Sequence, residues 1–89
     1  MAIVWIPAHL LELCGGRRQI AAAGRTVGEV LAALERECPG VQERLAPGGA
    51  LAPDLAVSVD GAVSTLGLLE PVTPESEVFF VPALQGGAA

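Results

Sequence analysis

The chain has 89 residues, 52% of them hydrophobic, and carries five basic and ten acidic side chains for a net charge of −5. That length makes one domain with a small core, and the hydrophobic fraction, with a mean hydropathy of +0.54, argues against a disordered chain. An acidic chain with one adjacent basic pair, Arg17-Arg18, is a poor nucleic-acid binder, and no apolar run approaches the roughly 20 residues of a membrane helix.

The N-terminal stretch "MAIVWIPAHLLEL" has no basic leader, so the expected compartment is the cytoplasm. "AIVWI" (2–6) is β-branched and aromatic, a strand apolar on both faces and therefore central or partnered. Pro7 ends it. "AHLLEL" (8–13) has helical spacing for one or two turns. Gly15-Gly16 is a turn; no helix starts after it, so it does not cradle phosphate. "RRQIAAA" (17–23) predicts a second strand returning beside the first, with Arg17-Arg18 as its solvated end.

"TVGEVLAALEREC" (26–38) predicts the main helix. Thr26 and Glu29 make a capping box, in which each side chain takes up a free backbone N–H at the helix start. Val27, Val30, Leu31, Leu34 and Cys38 form one apolar stripe, with Glu35, Arg36 and Glu37 mostly off it. Pro39-Gly40 stops the helix. "VQERL" (41–45) adds a short helical turn, and "APGGALAPD" (46–54) is a loop.

"LAVSVDG" (55–61) alternates, with Leu55, Val57 and Val59 on one face and Ala56 and Ser58 on the other. Asp60-Gly61 is a tight-turn pair, after which "AVS" returns briefly. "TLGLLEPVTPES" (65–76) is turn-rich, with leucines expected to plug the core edge. "EVFFVP" (77–82) is the last strand, and "ALQGGAA" follows as a tail.

The order β-β-α-β-β-β, with one long amphipathic helix, predicts a two-layer α+β domain. The first and last strands are the most apolar and belong side by side in the middle, the ubiquitin-like β-grasp arrangement. The domain is expected to span residues 1–82, with 83–89 as a flexible arm. If Val4 and Ile6 face the helix, alternation sends Ile3 and Trp5 the other way. Val78 and Phe80 inward likewise put Phe79 and Val81 outward. Ile3, Trp5, Phe79 and Val81 would then form an exposed apolar patch of the kind that marks a protein interface. The inverted parity would put Trp5 in the core.

Cys14 and Cys38 are the only cysteines and His9 the only histidine, too few for the about four ligands of a zinc site. In a cytoplasmic chain both cysteines read as small buried hydrophobes rather than a disulfide. His9 has no nucleophile near it in sequence, and no catalytic residue is assigned. All five basic residues are arginines, so the chain offers no lysine for conjugation.

Several segments together carry a resemblance. They are "IP" (6–7) with "GG" (15–16), "TVGEVLAALE" (26–35), "PGVQERL" (39–45), "VSVDG" (57–61) and "SEVFFVPALQGG" (76–87). In this order, ending in a di-glycine after a final strand, they make the chain resemble bacterial sulfur-carrier proteins of the MoaD/ThiS type over nearly its whole length. The pattern is most similar to the molybdopterin-synthase small subunit and the cysteine-synthesis sulfur carrier.

The resemblance implies the β-grasp fold and a chemistry performed by partners. A ubiquitin-activating-like enzyme would adenylate the terminal glycine carboxylate with ATP and magnesium. Sulfur would then displace AMP to leave a thiocarboxylate, and a synthase would accept that sulfur. The reactive residue would be Gly87, with Gln85 and Gly86 threading the activating site. Glycine suits a narrow channel because it has no Cβ.

The chain departs from that pattern at its end. Ala88-Ala89 tie the Gly87 carbonyl into a peptide bond. The resemblance then implies an inactive precursor, cleaved between Gly87 and Ala88 by a JAMM-type metalloprotease; the alternative is that the two alanines are foreign to the natural chain. Two other functions use the same segments: a ubiquitin-like modifier conjugated through Gly87, and an interaction domain with an inert tail.

Overall fold

The computed structural model describes residues 1–83. Five strands form one mixed sheet in the order β2-β1-β5-β3-β4: β1 Ala2–Trp5, β2 Gln19–Ala22, β3 Leu55–Val59, β4 Ala62–Val63 and β5 Glu77–Pro82. The two most apolar strands, β1 and β5, lie parallel at the centre, with Val4 opposite Val78 and Trp5 opposite Phe79. β2 pairs antiparallel with β1, and β3 pairs antiparallel with β5 from Val59↔Val78 to Leu55↔Pro82. This is the β-grasp arrangement expected from the strand order.

Helix α1 (Val27–Glu37) covers one face. Thr26 Oγ1 accepts the Glu29 N–H at 3.2 Å, and Glu29 Oε1 accepts the Arg25 N–H at 2.8 Å. The reciprocal bond of the capping box thus lands one residue before the cap. Val27, Val30, Leu31, Leu34 and Cys38 are all fully buried, as the stripe requires. Burying each aliphatic chain contributes about 1.5–3 kcal/mol relative to exposure. Helix α2 (Val41–Leu45) follows after a left-handed Gly40. Glu35 fastens the junction: its carboxylate accepts the Gly40 and Gln42 N–H groups, both at 2.8 Å. These bonds hold its carboxyl below the usual glutamate value, that to Gly40 most strongly, then that to Gln42.

At the other end of the strands, Asp60 and Gly61 adopt positive φ in the turn from β3 to β4. Asp60 also reaches across the sheet. Its carboxylate accepts the Ser76 hydroxyl at 3.0 Å and the Glu77 N–H at 2.9 Å, fixing where β5 begins.

Three expectations are corrected. The segment at 17–23 is a strand only over Gln19–Ala22; Arg17 turns away to Glu37, with a guanidinium–carboxylate distance of 3.4 Å. The leucines of 65–76 do not jointly plug the core: Leu66 and Leu69 are 53% and 75% exposed, and Leu68 alone of the three packs against it. Gly67 turns the chain at a φ of 57°, and the Gly67–Leu69 turn lays Leu68 against α1 at Gly28 while Leu66 and Leu69 stay outside.

The third correction concerns the cysteines. Both are buried as expected, at 1% and 0% exposure, but they are joined to each other in a disulfide with 4.5 Å between their Cα atoms. The 3-10 helix Ala8–Cys14 ends against the last turn of α1, bringing together two residues 24 apart in sequence. No local pattern encodes that meeting.

Candidate functional site

The strand parity is the one that leaves the sheet's second face apolar. Val4, Ile6, Val78 and Phe80 are buried toward α1, and Ile3, Trp5, Phe79 and Val81 point to the open side. These four are half-buried rather than exposed, because they cover one another. Trp5 and Phe79, opposite each other on β1 and β5, stack with ring centroids 5.4 Å apart and planes 5° from parallel. Trp5 therefore does not belong to the core, and the inverted parity is excluded.

Alternation also places Glu77 on this face. The Trp5 indole N–H donates to Glu77 Oε1 at 3.2 Å. The donor is satisfied within the patch, so a partner can desolvate the aromatic surface without orphaning a buried N–H. Sequence reading missed Glu77, although its shared parity with Phe79 is legible in "EVFFVP". Concavities of about 390 and 360 Å³ lie by Glu35 and Gln42 and by Leu51 and Leu69. Neither is lined by Trp5 or Phe79, and the candidate site is the sheet surface that these two rings form.

The patch runs along the strands toward the end of β5. Val81 follows Phe79 on the same face, and the ladder closes just beyond it, where the Ala83 N–H donates to Asp54 O at 3.0 Å. The described chain ends at that fixed point. Gln85, Gly86, Gly87 and Ala88, the expected tail and processing residues, lie outside the described residues.

A parallel β1–β5 pair at the centre of a five-stranded sheet with one main helix across it defines a ubiquitin-like β-grasp domain. Comparison with known proteins narrows this. The ThiS family model matches residues 4–87, and the chain belongs to that family, as a carrier protein of the MoaD/ThiS type. A chain of the Amycolatopsis orientalis BexX/CysO complex is similar at 28% identity and TM-score 0.87, covering 98% of this chain and all of that one. Mycobacterium tuberculosis CysO is similar at 28% identity and TM-score 0.84, over 93% of this chain and 99% of its own. SAMP1 from Haloferax volcanii is similar at 27% identity and TM-score 0.71, over 97% and 98%. No curated protein matches the chain with significance.

Proposed function

We propose that this protein carries sulfur as a thiocarboxylate on Gly87, formed after Ala88-Ala89 are removed. The observation that carries the reading is where the family match stops: it runs through the sheet and ends at Gly87, with Ala88-Ala89 beyond it. The chemistry then belongs to partners. An adenylating enzyme of the ubiquitin-activating type uses ATP and magnesium to turn the Gly87 carboxylate, a poor electrophile, into an acyl-adenylate. Sulfur displaces AMP, and a synthase takes the sulfur onward. The chain contributes no catalytic group. It contributes a docking face around Trp5 and Phe79 and an arm of fixed origin. From Pro82 to Gly87 the arm spans at most about 17 Å, at about 3.4 Å per residue. That length presents Gly87 to a site well away from the body.

The presence of CysO in a complex with BexX supports docking with another protein as the mode of action. The acceptor pathway follows the carrier's partner and covers molybdopterin, cysteine, thionucleoside or thio-metabolite synthesis. The test is intact-mass analysis of three chains with ATP, magnesium, sulfide and the activating enzyme. The chain trimmed to Gly87 exchanges one terminal oxygen for sulfur; the full-length chain and the trimmed Gly87→Ala chain do not. A methyl group at residue 87 would hinder the approach geometry that activation needs. Sulfur on the full-length chain with Ala88-Ala89 intact would overturn the precursor reading, and the JAMM-type protease with it.

A second reading is favoured by the likeness to SAMP1 from Haloferax volcanii, a small archaeal modifier protein. In that reading Gly87 is joined to lysines of other proteins. The same activated chain would then give protein adducts in extract instead of a thiocarboxylate. With no lysine of its own, it would attach to targets without forming side-chain-linked chains of itself.

A further inference from the structure

The Cys14–Cys38 disulfide takes no part in the carrier chemistry, and its setting points to a role of its own. It joins the end of the 3-10 helix Ala8–Cys14 to the residue that caps α1. The loop it closes contains all of β2 and α1, so it braces one edge of the sheet to the helix that covers it. Both cysteines are buried in the main core, in the same cluster as Leu10 and Leu34.

Arg17 lies across the same corner. Its Nε donates to Cys14 O at 3.1 Å, its Nη2 donates to Glu37 O at 3.4 Å, and its Nη1 pairs with Glu37 Oε1 at 3.4 Å. One guanidinium therefore holds the backbone carbonyl of one cysteine and that of the residue preceding the other. It repeats, without a covalent bond, the connection that the disulfide makes.

We propose that Cys14–Cys38 is a redox switch on the stability of this protein, and that Arg17 is the latch that gates it. Reduction requires a thiolate of a dithiol reductant to attack one Sγ in line with the S–S bond. With both cysteines at or below 1% exposure, that approach is closed in the native state. The corner must first open, and opening breaks the Arg17 bonds. Attack then forms a mixed disulfide and releases one cysteine thiolate, which takes up a proton. The reductant's second thiol resolves the mixed disulfide. Two electrons and two protons pass to Cys14 and Cys38, and the reductant leaves oxidised. Afterwards the corner recloses, since two thiols remain acceptable core groups and Arg17 still spans them. The reduced protein stays folded but has lost the restraint on its unfolded chain. Its lifetime against unfolding and proteolysis thus follows the thiol–disulfide balance of its surroundings, independently of any sulfur on the tail.

The test uses the full-length protein. Thermal melts of the oxidised and the dithiothreitol-reduced chain should share the same far-UV spectrum, with the reduced midpoint lower by about 10 °C or more. The Cys14→Ala/Cys38→Ala double variant should melt low with or without reductant. Reduction rates under native conditions, read by alkylation and intact mass, should rise several-fold in Arg17→Ala and much less in Ser76→Ala. Ser76→Ala is a control for general loosening, placed at the opposite end of the central strands. Equal midpoints for the oxidised and reduced chains would overturn the switch. An unfolded reduced chain at room temperature would overturn the claim that the corner recloses. Equal acceleration by Arg17→Ala and Ser76→Ala would overturn the latch.

Discussion

Trp5 and Phe79 sit opposite each other on parallel strands β1 and β5, and their rings stack 5.4 Å apart on the sheet face away from α1. The pair joins β1 to β5, 74 residues later, near the end of the described chain at Ala83. In the proposed function, a partner that grips this stack also holds the strand from which residues 84–89 continue.

Replacing Trp5 or Phe79 with Ser should therefore weaken binding to the activating enzyme by about 2 kcal/mol or more, as truncation of a central interface aromatic does. The helical far-UV signal should stay normal, because neither ring belongs to the core cluster. Calorimetric titration of the variants against the enzyme checks this. An unfolded Trp5→Ser protein would show that the stack supports the fold instead.

Removal of residues 84–89 should leave the thermal midpoint nearly unchanged. The last ladder bond, from the Ala83 N–H to Asp54 O, survives the deletion, and β5 ends before it at Pro82. A melt of the truncated and full-length chains decides the matter. A large drop would mean that the arm packs on the body and is not free to enter a partner.

Gly24 cannot accept a side chain. A Cβ there would lie 2.6 Å from the Val30 backbone nitrogen and 2.9 Å from Glu29, at the start of α1. Backbone on both sides leaves nothing flexible to yield. Gly24→Ala should cost about 1–3 kcal/mol in urea unfolding, the range for overpacking a close contact. Gly48→Ala tests the contrast: a Cβ there meets nothing within 4 Å, so any loss comes from its φ of 73° alone.

Glu35 should give the protein part of its acid sensitivity. Its carboxylate accepts two backbone N–H bonds that favour the charged form, so its folded pKa lies below the ordinary 4.5. A depressed carboxyl contributes stability above its unfolded pKa and loses it as pH falls through the folded value. The loss therefore sets in below about pH 4.5. Melts at neutral pH and at about pH 3 should show a larger drop for the wild type than for Glu35→Gln, which has no charge to lose. Equal drops would mean that other carboxylates carry the whole effect.

The secondary structure was legible because it is written in local patterns. The T-x-x-E cap and the stripe from Val27 to Cys38 gave α1, and β-branched runs gave β1 and β5. Alternation within β1 and β5 placed Trp5 and Phe79 on one face once the strands were taken as neighbours. Family membership was also legible, since it rests on ordered segments that run to the di-glycine. What sequence could not supply depends on which distant residues meet. The Cys14–Cys38 bond, the Arg17 bridge to Glu37 and the reach of Asp60 to Ser76 and Glu77 each join residues at least 16 positions apart. The outward turn of Leu66 and Leu69 was missed for a related reason: hydrophobicity alone says that a leucine gains by burial, but the tight turn at Gly67 and the space beside Gly28 of α1 decide that Leu68 is the one that packs. Local propensity and hydrophobic period act over a few residues and so can be read along the chain. A disulfide, a guanidinium clamp or a cross-sheet carboxylate exists only after packing has brought its two ends together, and so was decided by the tertiary structure.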